Sequence, residues 1–421
     1  MVGNTYELMS IGSQPIPLEF LAVSTLGTPQ ELSRMTTTLK RISCVIRTPS
    51  VEADQGSPGW IQRVQKQQEV MQNRLHTFNS QHLSLGGEAV SCVVPFDQGR
   101  NIVYGATDGV YLLDVTKPHN QPSRILALSD VTQVDDLEEC QILIVLSGGQ
   151  VLAFPLDVLD LKDPIAALER VKRVASQVSF FKAGTCLGRT MLCTVESSLL
   201  SSTIKIFEPV SDKTTEFAKF RRRLQGGQHG GNDGLAMPIK GFRVARRANA
   251  VMFLKTRICL SCTDDFKIVD IESLDNQPLL APSDQSLDFV RGRKALQAIA
   301  LYRVGDNFLV CYDEFAFYVN RTGCRSNKHF LVFWEGTPTA FATALQYPYI
   351  LAFDPTFVEI WHVETGRIVQ VIQGSNIRCL FTADTPPSLK IDPANPSAGR
   401  SEMLIVSDER VMKLRVSAET L

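Results

Sequence analysis

Short apolar runs, each followed by a brief polar turn and a second apolar run, recur along the chain from Asn101 to Val416. The first copy spans Asn101 to Asp114, where Asp108-Gly109 offers the positive φ that a tight hairpin demands. The second runs from Ile142 to Asp157 around Gly148-Gly149, and the third from Thr190 to Pro209 around Ser197 to Ser202. Ile258 to Ile271 turns at Asp264-Asp265, Phe308 to Val319 at Asp313-Glu314, Tyr349 to Val363 at Asp354-Pro355, and Met403 to Val416 at Asp408-Glu409. Taking starts within one residue of these, at 101, 142, 190, 257, 307, 349 and 402, the intervals are 41, 48, 67, 50, 42 and 53 residues.

A four-stranded propeller blade takes roughly 40 to 50 residues, which matches this period. Strands covered on both faces by neighbouring blades read as near-continuous Val, Ile, Leu and Phe, as these runs do. A pair of β-sandwiches has no reason to repeat at blade length. The pattern therefore predicts a mainly β protein: a seven-bladed β-propeller over 86–421, preceded by a small strand-plus-helix segment over 1–85.

Departures from the repeat are local. Ile165, Leu168, Val171 and Val174 recur at three-residue steps, predicting that Asp163 to Gln177 is a short amphipathic helix inserted between blades. Ser211 to Ala250 contains the glycine-rich run Gly226 to Gly234 and reads as a long loop, which explains the 67-residue interval. Thr385 to Ser401, with four prolines, reads as a turn-rich connection. Upstream, Pro15 to Val23 and Leu39 to Ile46 read as strands. Ile61, Val64, Met71, Leu75 and Phe78 form one stripe of a helix over about 60–83, with Pro58 in its first turn.

Composition narrows the chemistry. In 421 residues, 44% are hydrophobic, enough for a large core, and the formal net charge is -1, which offers nucleic acid no global attraction. No apolar stretch approaches the roughly 20 residues of a membrane-spanning helix. Met1 to Ser10 lacks the basic-then-apolar order of a secretory signal, so a cytoplasmic, reducing setting and free thiols are expected. Cys259-x-x-Cys262 has the spacing of half a zinc site but no second pair, and it sits in a β-rich run. Gly184-Thr-Cys186-Leu-Gly188 has the outline of a nucleophile elbow, yet a strand rather than a helix follows it. Asn320-Arg-Thr322 is a glycosylation sequon that a cytosolic chain would leave unused. No phosphate-binding glycine loop, H-E-x-x-H or Ca²⁺ loop occurs, so neither cofactor nor metal is expected and the chain reads as a non-enzyme. The turns, which vary among Asp-Gly, Gly-Gly, Asp-Asp, Asp-Glu and Asp-Pro, do not place equivalent catalytic groups in each blade.

One charge anomaly stands out. Residues 211 to 250 hold nine Lys or Arg against Asp212, Glu216 and Asp233, a balance of +6. Arg221, Arg222, Arg223, Arg243, Arg246 and Arg247, interleaved with Phe220 and Phe242, are the candidate partner-binding residues. Such a cluster suits an acidic protein surface, anionic lipid or a phosphosite, and it also suits a solvated, solubilising insertion.

Words spread through the chain resemble the citron-homology (CNH) domain at the C-terminus of fungal Rho-type guanine-nucleotide exchange factors. They include Val103-Tyr104-Gly105, Phe180-Phe181-Lys182-Ala183-Gly184, Ile204-Lys205-Ile206-Phe207-Glu208-Pro209, Ser286-Leu287-Asp288-Phe289-Val290, Tyr312-Asp313-Glu314-Phe315, Trp334-Glu335-Gly336 and Val363-Glu364-Thr365-Gly366. Pro15-Ile-Pro-Leu-Glu19 and Trp60 to Glu69 resemble the edges of a pleckstrin-homology region, with too few residues between them for the whole fold. The resemblance implies a non-catalytic interaction module in Rho GTPase signalling at the cell cortex. Its implied partners are a Rho-family small GTPase or other signalling proteins, with peripheral contact to an anionic membrane also in view. The alternative it leaves is a vesicle-tethering scaffold, since citron-homology propellers occur there too.

Overall fold

Each repeated hairpin folds within its own antiparallel sheet, and in six of the seven it forms the two central strands. In order these are Asn101–Gly105 with Val110–Asp114, Ile142–Ser147 with Gln150–Pro155, Arg189–Ser197 with Ser202–Pro209, Arg257–Cys262 with Phe266–Asp270, Asn307–Tyr312 with Phe315–Val319, Tyr349–Phe353 with Phe357–His362, and Met403–Ser407 with Arg410–Leu414. The computed structural model describes residues 18–20, 90–209 and 236–418, apart from 98, 118–119, 162, 294, 344–348, 382–402, 408–409 and 415. Among them, six sheets have four strands in simple sequential order, and the seventh has three. The result is the seven-bladed propeller that the spacing predicts.

The core lies between blades. Side chains alternate across a strand, so a strand sandwiched between two neighbours must be apolar on both faces. In the second blade Ile142, Ile144 and Leu146 pack with Leu192 and Phe207 of the third, whereas Leu143 and Val145 pack with Val103 and Val110 of the first. Fully burying each such side chain contributes about 1.5–3 kcal/mol, which makes these interfaces the main stabilising force. The ring closes where Val93, Ile102 and Tyr104 of the first blade meet Leu404, Val406 and Val411 of the last. There the Arg378 guanidinium donates to the Val90 carbonyl at 2.9 Å. A short strand, Leu18–Phe20, pairs antiparallel with Val416–Ala418, joining an early segment to the end of the last blade.

Polar side chains stitch neighbouring blades where an apolar one could not. Gln133 accepts from the Phe181 amide at 2.8 Å and donates to the Phe181 carbonyl at 3.1 Å, crossing from the second blade to the third. Buried Ser261 donates to the Ala298 carbonyl at 2.6 Å, crossing from the fourth to the fifth. Both satisfy groups that would otherwise be desolvated without partners.

Two sequence expectations need correction. Only Pro164–Leu168 is helical within 163–177, started by Asp163, whose carboxylate accepts from the Ile165 amide at 2.9 Å. Lys172–Ser176 instead forms the fourth strand of the second blade, pairing with the strand from Gln150. An isolated helix this short is marginal, and the open sheet edge offers better hydrogen bonding. The expected loop over 211–250 is also too long: Ala236–Val244 and Ala248–Phe253 are strands, closing the third blade and opening the fourth. The predicted strand over 15–23 is observed as Leu18–Phe20. The predicted helix over 60–83, the strand over 39–46 and the connection over 385–401 lie outside the described residues.

Candidate interaction face

In an up-and-down sheet the turn between the second and third strands and the connector leaving the fourth strand emerge at the same end. At the third blade these are Ser198 to Ser201 and residues 245–247. Serines fix the turn: the Ser198 amide donates to the Ser201 carbonyl at 2.8 Å, and the Ser198 hydroxyl accepts from the Ser201 amide at 3.1 Å. Ser197 donates to the Ala248 carbonyl at 3.1 Å and Ser202 accepts from the Ala248 amide at 2.9 Å, anchoring the turn to the fourth blade. Leu199 and Leu200 project from this frame 86% and 83% exposed.

Three of the six candidate arginines gather here. Arg243 donates through Nε and Nη2 to the Ser201 hydroxyl at 3.2 and 2.8 Å. Arg246 pairs with Asp264 at 2.8 Å, and the Arg247 carbonyl accepts from Thr263 at 3.4 Å, both in the turn of the fourth blade. Arg221, Arg222 and Arg223 lie outside the described residues. The strand ends flanking their segment, Pro209 and Ala236, pair with one another, as do Ser202 and Val244 at the other end. Seven residues of strand at roughly 3.4 Å each put about 24 Å between those two ends.

Elsewhere on the same face the turns carry carboxylates held in local pairs. Tyr111 donates to Asp108 at 2.7 Å, Lys267 pairs with Asp265 at 3.0 Å, the Gln297 amide donates to Asp313 at 2.8 Å, and Arg293 pairs with Glu314. Asp354 accepts from the amides of Thr356 and Thr337 at 2.8 and 3.0 Å. By contrast, the second-blade turn is Gly148-Gly149, with φ of 55° and 73°, and the third-blade turn is serine and leucine. The face is thus divided into an acidic arc and a sector of leucine, glycine and arginine. No group of three or more His, Cys, Asp or Glu side chains converges to hold a metal among the described residues.

The reactive-looking motifs have structural roles. Cys259 and Cys262 sit an odd number of residues apart on one strand, so they face opposite blades: Cys259 packs toward the fifth and Cys262 toward the third. Burial pushes the Cys262 thiol up to about 12. Cys186 ends a strand, and Leu187 and Gly188, at φ 54° and 71°, make a two-residue hairpin turn with no helix after it. Its thiol is raised chiefly by burial and donates to the Arg257 carbonyl at 3.6 Å. The sequon asparagine is used internally, since Asn320 Oδ1 accepts from the amides of Thr322 and Cys324, each at 3.0 Å.

Sequence reasoning missed two features. Leu199-Leu200 is visible in the sequence as an apolar pair inside a serine turn, Ser197 to Ser202, but the turn pattern alone gives no sign of their exposure. Glu359 gave no signal: it lies on an apolar strand, 1% exposed, with Oε1 accepting from the Glu335 and Gly336 amides at 3.0 and 2.9 Å.

A ring of seven blades whose exposed chemistry lies in its loops belongs to the class of β-propellers. A family model for the CNH domain matches residues 98–383, and the chain belongs to that family. Over 331 residues it is 39% identical to Rho1 guanine nucleotide exchange factor 1 of Schizosaccharomyces pombe, covering 76% of this chain and 24% of that protein. Over 308 residues it is 32% identical to RHO1 GDP-GTP exchange protein 2 of Saccharomyces cerevisiae, covering 70% of this chain and 22% of that one. The chain therefore spans about a quarter of the length of these relatives. The solved structure of the AfRom2 CNH domain is 32% identical, with a TM-score of 0.66, covering 82% of this chain and 100% of that one.

Proposed function

We propose that this chain is the non-catalytic interaction and regulatory module of a Rho guanine-nucleotide exchange factor, working in Rho GTPase signalling at the cell cortex. The observation that carries this reading is the extent of the match: the propeller aligns with about a quarter of each Rho1 exchange factor. The geometry supports a binding role, because the turn carboxylates are engaged in shaping turns and the buried thiols are raised away from nucleophilic reactivity. Its partner is a Rho-family GTPase or another signalling protein, met through the loop-lined faces of the ring. In the test, the intact chain is immobilised and offered a Rho GTPase loaded with GDP, loaded with a GTP analogue, or free of nucleotide, while nucleotide release is followed in parallel. Saturable capture without faster release is expected. Accelerated release would make the chain a catalyst, and capture of vesicle-tethering subunits with no GTPase in any nucleotide state would replace this reading with the tethering one.

A further inference from the structure

Leu199 and Leu200 are the most exposed large apolar side chains among the described residues. They are neighbours in one turn, and their high exposure shows that the described protein does not cover them. Their exposure does not come from a loose backbone, since Ser197, Ser198, Ser201 and Ser202 pin the turn from both sides. Keeping two leucines in water on a fixed frame is unfavourable unless something apolar covers them in use.

The surrounding charge indicates what covers them. Arg243, Arg246 and Arg247 lie beside the tip; with Asp264 subtracted, the local balance is +2. Glu196, on the same hairpin, is engaged by Lys205 at 3.8 Å. The adjoining second-blade turn and the connector from Gln177 to Ser179 carry no charge. An apolar point ringed by cations and hydroxyls matches the depth profile of a bilayer surface, with acyl chains inside and phosphates outside.

We propose that this turn is a membrane-docking tip: Leu199 and Leu200 enter the headgroup and acyl boundary of an anionic bilayer while the arginines meet lipid phosphates. No helix among the described residues is long and apolar enough to cross a membrane, so the contact is peripheral. This contact is independent of GTPase capture.

The test is co-sedimentation of the intact chain with vesicles of phosphatidylcholine alone or with roughly 30% phosphatidylserine. Binding to the anionic vesicles only is expected, weakening as salt rises from about 50 to 300 mM. L199S/L200S should lower the partition coefficient at least about tenfold, and R243Q/R247Q several-fold, with melting temperatures unchanged because all four side chains are exposed or at the rim. A Leu200→Trp variant should show a blue shift in emission on anionic vesicles relative to the parent chain. Absence of binding by the parent, equal binding by L199S/L200S, or an unshifted Leu200→Trp spectrum overturns the proposal. So does loss of GTPase capture in L199S/L200S with vesicle binding unchanged, which would make the tip a protein contact.

Discussion

Glu359 accepts a hydrogen bond from the Trp361 indole N–H at 2.7 Å through Oε2, two residues along the same strand and on the same face. Its other oxygen holds the Glu335 and Gly336 amides, so one carboxylate ties the connector from the fifth blade to the strands of the sixth. Burial raises its pKa to about 7 from 4.5, aided by the Glu335 charge and opposed by these hydrogen bonds. Below about pH 4.5 both folded and unfolded states carry the proton and its stabilising effect is fully present. As pH rises toward 7 the unfolded state ionises first, so stability falls; above that it is level, having lost on the order of 3 kcal/mol. Glu335, also raised by burial, adds in the same direction. Thermal melts from pH 5 to 8 should show this decline, and Glu359→Gln should flatten it. Parallel curves for the two proteins would remove Glu359 as the cause.

Tyr312 should be better replaced than kept. Its hydroxyl is buried with no hydrogen-bond partner, while its ring packs at 5.4 Å from Phe266 and 5.5 Å from Phe315. Tyr312→Phe keeps the ring contacts and the backbone carbonyl that receives the Trp334 indole N–H at 2.8 Å. Removing a desolvated, unsatisfied hydroxyl should raise stability by about 1 kcal/mol, read as a higher denaturant midpoint at constant slope. A lower midpoint would mean that the hydroxyl is satisfied.

Gly323 should tolerate no side chain. Its φ is +78°, and a Cβ there would stand 2.0 Å from the Leu279 carbonyl oxygen, beside the 2.9 Å bond from the Ala281 amide to Gly323. Gly323→Ala therefore meets both strain and a backbone clash and should cost more than about 2 kcal/mol. Gly148→Ala, at φ +55° with nothing within 4 Å, serves as the comparison, since it carries the strain alone. Equal losses in the two would rule out the clash as the source.

The hairpins were legible because central strands are apolar on both faces, as Ile142 to Leu146 and Leu309 to Tyr312 show. Outer strands were not. Asn276–Pro278 is exposed throughout and Lys172–Ser176 is only partly buried, so neither carries a burial pattern to read. Composition also misled at 236–253, where nearby glycines and arginines hid two strands whose identity depends on sheet partners far away in sequence. Of the site, the arginines could be named but not grouped: only the register of Ser202 to Pro209 against Ala236 to Val244 separates Arg243 from the segment holding Arg221.

The short two-stranded sheet of 18–20 with 416–418, separate from the three strands of the last blade, gives the last prediction. Residues 18–20 reach Val416–Ala418 across almost the whole sequence, and the last blade has only three strands of its own among the described residues. Deleting residues 1–20 removes that pairing and leaves the backbone of 416–418 without it, while the apolar contact between the first and last blades stays intact. Two or three lost ladder hydrogen bonds at about 1 kcal/mol each should lower stability by about 2 kcal/mol. The freed strand edge should also increase self-association with concentration, measured by size-exclusion chromatography. Arg378→Gln, which removes a polar tie between the first and last blades by losing the bond to the Val90 carbonyl, should destabilise without exposing an edge. A deletion variant that melts like the parent and stays monomeric would show that the pairing of 18–20 with 416–418 contributes neither stability nor edge protection.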